Sequence, residues 1–207
     1  MNDPALLPRK TQAQVDTDYP SWYRINAVAY ALEYYIAGRF AAWNRLPSVA
    51  PALLQYAVEL LIKAGLSKGD TADQIRRYWR RDIYGHDLGK LWEALKKRRP
   101  GVDLSEFNET IVELHRFEDL RFPDDLIEHG ALISLGAVEA QKIMHSGSSA
   151  IPLQFCSTLP PIDRLISFLF DFSDVDWETV KHRYGEEAMK WLERENRWAP
   201  RSAAAKS

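Results

Sequence analysis

Apolar residues recur at helical spacing along most of the chain. After a polar stretch to about Thr17, the residues Trp22, Ile25, Val28, Leu32, Ile36, Phe40 and Trp43 fall three or four positions apart until Pro47, which predicts a long first helix. From Val49 to about Ala64 the chain is apolar on most sides, apart from a stripe of Gln55, Glu59 and Lys63. That pattern predicts a helix in the middle of a bundle, with Gly65 before Leu66 as its C-terminal cap. Thr71 and Gln74 have capping-box spacing ahead of Ile75, Tyr78 and Trp79, and this helix is expected to stop at Gly85. A short helix then starts near Asp87, with Leu88, Leu91, Trp92 and Leu95 inward and Pro100-Gly101 as its stop. Asp103 and Glu106 open another, whose Phe107, Ile111, Leu114, Phe117 and Leu120 continue the pattern to Pro123.

The periodicity weakens between Gly130 and Cys156. ALISLGAV and AIPLQFC, on either side of Ser146-Gly147-Ser148-Ser149, have the composition of short strands and predict a small β-hairpin near 130–156. Pro160-Pro161 leads into an apolar helix from Asp163 to Phe172, and Asp176 caps a last one carrying Trp177, Val180, Tyr184, Trp191 and Leu192. The expected fold class is mainly all-α: an up-and-down helical bundle with extra C-terminal helices. Residues 1–17 are expected to be a flexible arm, 18–198 a single helical domain and 199–207 a flexible tail.

Composition narrows the function classes. With 207 residues, 46% of them hydrophobic, the chain can bury one full core. A formal net charge of -2 removes the strongly basic class of DNA-packaging proteins, so any contact with nucleic acid has to rest on local charge. Cys156 is the only cysteine, which precludes an intramolecular disulfide or a cysteine-rich zinc site and suits a reducing cytoplasm. The N-terminus lacks the basic start and apolar run of a signal peptide, and Gln55, Glu59 and Lys63 interrupt the most apolar stretch. A cytoplasmic location without membrane contact is therefore expected. His115 and Glu118 stand three apart without the second pair that a di-iron bundle uses, and His129, His145 and His182 have no ligand-spaced companions. Neither a metal nor a cofactor is expected.

Local charge is far from neutral. Arg76 to Arg99 holds nine Lys or Arg against three acids, interleaved with Tyr78, Trp79, Tyr84 and Trp92. Cations neutralise phosphates and aromatic faces stack on unpaired bases, so this is a composition used by single-stranded RNA surfaces, with Arg77, Arg80, Tyr84 and Lys90 as candidate contacts. The alternative is packing: Tyr78, Trp79 and Trp92 also fit core stripes. Asp103 to Glu128, with nine acids against Arg116 and Arg121, could pair with the basic helices within one chain or across a dimer. Glu59 and Lys63 have the order of a helical ion pair. Their simplest reading is a surface pair, and the sharper one is a polar link to the basic segment.

Inside that segment lies Arg81-Asp82-Ile83-Tyr84-Gly85-His86, an Arg and a His separated by four residues. AVELLIKAGL at Ala57–Leu66, YGHDLGKLW at Tyr84–Trp92 and LRFPDD at Leu120–Asp125 resemble landmarks of the HEPN superfamily, in the same order. The resemblance spans about 51–125, with a weaker echo in WLEREN at Trp191–Asn196. It implies a helical bundle that dimerises and, in many members, a metal-independent ribonuclease using an Arg, four to six residues, then a His. Carried over, Arg81 and His86 take the motif positions and Asp82 is the polar residue after the Arg, while Leu88 departs from the Tyr often found two positions after the His.

The chemistry of such a pair is direct. An imidazole can take the proton of a ribose 2′-OH or give one to the leaving oxygen, and a guanidinium stabilises charge growing on the phosphate. On one unbroken helix, however, five residues at about 100° each set Arg81 and His86 roughly 140° apart. Convergence needs a break, which Gly85 could supply, or a second copy of the chain. Two alternatives stand beside catalysis: His86 and Asp87 as the cap of the helix beginning at Leu88, and the whole chain as a non-catalytic dimerisation or partner-binding module.

Overall fold

Two long helices set the frame. In this computed structural model, which describes residues 11–46, 49–78, 86–117, 131–136, 143–144 and 153–200, α1 is Gln12–Trp43 and α2 is Ala50–Leu66. α1 starts inside the stretch expected to be a flexible arm. Thr11 and Gln14 form a reciprocal capping box, the Gln14 amide donating to Thr11 Oγ1 at 3.3 Å and the Thr11 amide to Gln14 Oε1 at 2.9 Å. This satisfies two of the donors that every helix start leaves over. The inner face of α1 carries Val28, Leu32, Tyr35 and Ile36, whereas Trp22 and Phe40, expected inside, are exposed. On a wheel of about 100° per residue both lie at the margin of that face.

α2 is central, as its apolar pattern predicts: it packs against α1, α4 (Leu88–Arg98) and α6 (Leu159–Ser173). Gly65 is not its cap. The helix runs through Leu66, and a Cβ on Gly65 would lie 2.1 Å from the Phe172 ring, so this glycine admits the ring against the backbone. Among the described glycines, Gly69 in the turn that follows takes a left-handed conformation, at φ +84°. α3 (Ala72–Tyr78) begins with the predicted capping box: the Thr71 amide donates to Gln74 Oε1 at 2.8 Å and the Gln74 amide to Thr71 Oγ1 at 3.3 Å.

The inward stripe Leu88, Leu91, Trp92 and Leu95 of α4 is buried, and Trp92 Nε1 donates to Asn108 Oδ1 at 2.9 Å. Trp92 is therefore a core residue. A single 3-10 turn, Ser105–Phe107, leads into α5 (Asn108–Arg116). Beyond α5, β1 (Ala131–Gly136), β2 (Ile143–Met144) and β3 (Leu153–Thr158) make a small sheet in the order β2-β1-β3. Strands occur at both expected positions, but β1 and β3 pair in parallel, and the antiparallel partner of β1 is the two-residue β2. A parallel pair needs a connection of a dozen residues or more, and 137–152 supply that length.

α6 is followed by the short α7 (Trp177–Val180) and by α8 (Glu186–Glu193), which packs on α1. A buried polar network fastens this end. Arg39, Tyr35, Asp163 and Asn196 are all buried. Tyr35 Oη donates to Asp163 Oδ1 at 2.6 Å, and Asn196 Nδ2 donates to Tyr35 Oη at 2.8 Å. The Arg39 guanidinium pairs with Asp163 and donates to the carbonyls of Trp191 and Arg194. Burial pushes the Asp163 carboxyl up, against the pull of Arg39 and the Tyr35 hydroxyl. No helix among the described residues is long and apolar enough to cross a membrane.

Candidate active site

The polar stripe of α2 points into the fold rather than out of it. Glu59 and Lys63, whose simplest reading is a surface pair, are both buried and ion-paired to each other. Two such charges leave water only where each finds a partner. Glu59 has a second one in His86, whose Nδ1 lies 3.1 Å from Oε1 and 3.2 Å from Oε2. The sharper reading of the pair, a polar link to the basic segment, describes what the fold makes of it.

His86 and Asp87 have separate duties. Asp87 is the N-cap of α4: its Oδ1 accepts from the Lys90 amide at 3.0 Å, and its Oδ2 lies 3.2 Å from Lys90 Nζ. Burial alone would raise the Asp87 carboxyl, but the Lys90 amide and ammonium outweigh it and hold the group below the usual carboxylate value. His86 stands one residue ahead of the cap, so its ring is not needed to close the helix start. Its side chain is half exposed while its carboxylate partner is buried. A carboxylate paired with an ammonium only accepts, so Nδ1 carries the proton and donates it to Glu59, which leaves Nε2 as the ring's other nitrogen. A third group orienting a base in this way is the arrangement that general acid–base chemistry uses.

Aromatic rings flank the imidazole. Tyr56, one turn before Glu59, meets His86 edge to face at a centroid distance of 6.2 Å, and Tyr34 of α1 lies 5.5 Å from Tyr56. Tyr23 sits close enough to Glu59 to feel its charge. Burial first, then Tyr19 and Glu59, push the Tyr23 hydroxyl up, so it keeps its proton.

Of the other predicted site residues, Arg81, Asp82, Arg80 and Tyr84 lie outside the described residues, as does Gly85. Arg77 is exposed in the last turn of α3, and Lys90 is exposed beside Asp87. Among the described basic residues, Arg76 pairs with Asp16 at 2.8 Å and Arg98 with Asp70 at 3.0 Å, while the acids from 118 to 128 lie outside the described residues. His115, read as an ordinary residue, has its Nε2 3.9 Å from Asp87 Oδ1. Among the described residues no group of three or more His, Cys, Asp or Glu side chains is placed to hold a metal. Comparison with protein-family models, with curated proteins and with solved structures gave no match.

Proposed function

We propose that this chain is a HEPN-like, metal-independent endoribonuclease in which His86 moves the proton and Arg81 stabilises the phosphate. The observation that carries the reading is the His86–Glu59 contact: a half-exposed imidazole held through Nδ1 by a buried carboxylate, which is itself paired with Lys63. With Nδ1–H given to Glu59, Nε2 is free of the proton in the neutral ring and can accept one from a ribose 2′-OH. The 2′-oxygen then attacks phosphorus, the P–O5′ bond breaks, and the leaving oxygen takes a proton from water, so the products end in a 2′,3′-cyclic phosphate and a 5′-hydroxyl. Glu59 stabilises the imidazolium that forms, and an arginine near the phosphate stabilises its growing charge.

The test is cleavage of single-stranded RNA in the presence of a chelator, with the product ends identified. His86→Ala is expected to lower the rate on the order of a hundredfold or more, and Arg81→Ala to do similarly, with both variants folded. Undiminished cleavage by both variants contradicts the proposal.

A second reading has its own observation. The His86–Glu59 contact also fastens the entry of α4 onto α2, as a scaffold would in a non-catalytic module that dimerises or holds a partner. That reading predicts a loss of stability in His86→Ala and intact RNA with every form of the protein.

A further inference from the structure

The aromatic rings beside His86 form a track. Tyr34 and Tyr56 are 5.5 Å apart with their planes tilted by 34°, and Tyr56 reaches His86 in one further ring-to-ring step of 6.2 Å. Tyr30 stands one turn before Tyr34 on the same face of α1, and both rings are open to solvent, at 53% and 40% exposure. Exposed rings in a row beside a half-exposed imidazole offer a flat apolar surface next to a polar group. Tyrosine suits such a place, since each ring offers a flat π-face while its hydroxyl stays wet.

We infer that Tyr34 and Tyr56, with Tyr30 beyond them, form a stacking subsite for the unpaired bases of single-stranded RNA next to the phosphate at His86. This rests on the ribonuclease reading for the position of that phosphate, and it adds which part of the substrate lies on α1 and α2. Charge favours one orientation. Glu33, exposed on α1 beside Tyr34, disfavours a phosphate there, and Lys90, exposed in the first turn of α4 four residues after His86, favours one near the imidazole. Bases therefore turn towards the tyrosines and the backbone towards His86 and Lys90. Stacking is indifferent to base identity, so the subsite selects unpaired strands over duplexes rather than one sequence over another.

The experiment is fluorescence anisotropy with a labelled ten-nucleotide oligomer carrying 2′-O-methyl sugars, which binds but lacks the attacking hydroxyl. Its binding therefore does not depend on whether the protein cleaves. Tyr34→Leu and Tyr56→Leu are each expected to weaken binding about tenfold, while Tyr34→Phe and Tyr56→Phe, which keep the ring, bind as the natural chain does. An abasic oligomer with the same backbone should bind weakly and equally to all of these forms. Thermal unfolding of each variant shows that the fold is kept. Equal binding of the base-bearing oligomer by the leucine and phenylalanine variants overturns the subsite, as does abasic binding as tight as that of the intact strand. An oligomer that is not bound at all overturns it too. Binding that follows this pattern in a protein that cleaves nothing supports the subsite and removes the nuclease.

Discussion

Asp87 and His86 are adjacent in sequence and differ in task, and the difference is testable one residue at a time. Asp87→Ala removes the cap of α4 and is expected to cost about 1 kcal/mol near neutral pH, whereas Asp87→Asn, which still caps, should stay within a few tenths. The folded carboxyl titrates below its ordinary value. Its contribution is therefore present above that ordinary value and fades as pH falls through the depressed one. Urea unfolding should accordingly show a constant gap between the natural chain and Asp87→Ala from about pH 7 to about pH 5, and a shrinking one only as pH falls below the ordinary carboxylate value. The cap was legible in the sequence, because an aspartate directly before a periodic apolar run is a local signal. The partner of His86 was legible only as an alternative. Glu59 and Lys63 have the spacing of any surface pair, and what distinguishes them is a fold that buries their side of α2.

Among the elements, those with strong periodicity were legible and those set by distant partners were not. The capping box at Thr71 and the central place of α2 follow from local pattern. Arg39 does not: it reads as a polar residue on a helix, and its burial depends on Asp163 and on two carbonyls near the end of the described chain. Likewise the parallel pairing of β1 with β3 is a matter of connection through 137–152, which strand composition does not reveal. The network gives a prediction at this scale. Arg39→Met leaves Asp163 buried without its cation and should destabilise the protein by about 3–5 kcal/mol in denaturant titration. The double variant Arg39→Met with Asp163→Asn removes both charges while keeping an acceptor for Tyr35, and should be more stable than Arg39→Met alone. A double variant no better than the single one would show that Arg39 acts through its packing and its bonds to the Trp191 and Arg194 carbonyls.

For the whole molecule, α2 is where stability and the proposed chemistry meet: it packs against α1, α4 and α6, and it carries both Tyr56 and the Glu59–Lys63 pair. The proposal includes a homodimer, as the resemblance to HEPN proteins implies, with the Arg76–Arg99 segments near its axis, and light scattering in the micromolar range should give twice the mass of one chain. A monomer at those concentrations would count against the catalytic reading as well as against the dimer, because a composite site could then not form.

In the proposed mechanism Glu59 works through His86 in cutting RNA, and a double-mutant cycle on cleavage tests that coupling. Rates are measured with chelator present for the natural chain, Glu59→Gln, His86→Ala and the double variant, with each shown to be folded. Glu59→Gln is expected to be slower than the natural chain, His86→Ala slower by on the order of a hundredfold or more, and the double variant no slower than His86→Ala alone, because the carboxylate has no other route to the substrate. Full activity in Glu59→Gln, or two losses that simply multiply in the double variant, would contradict it.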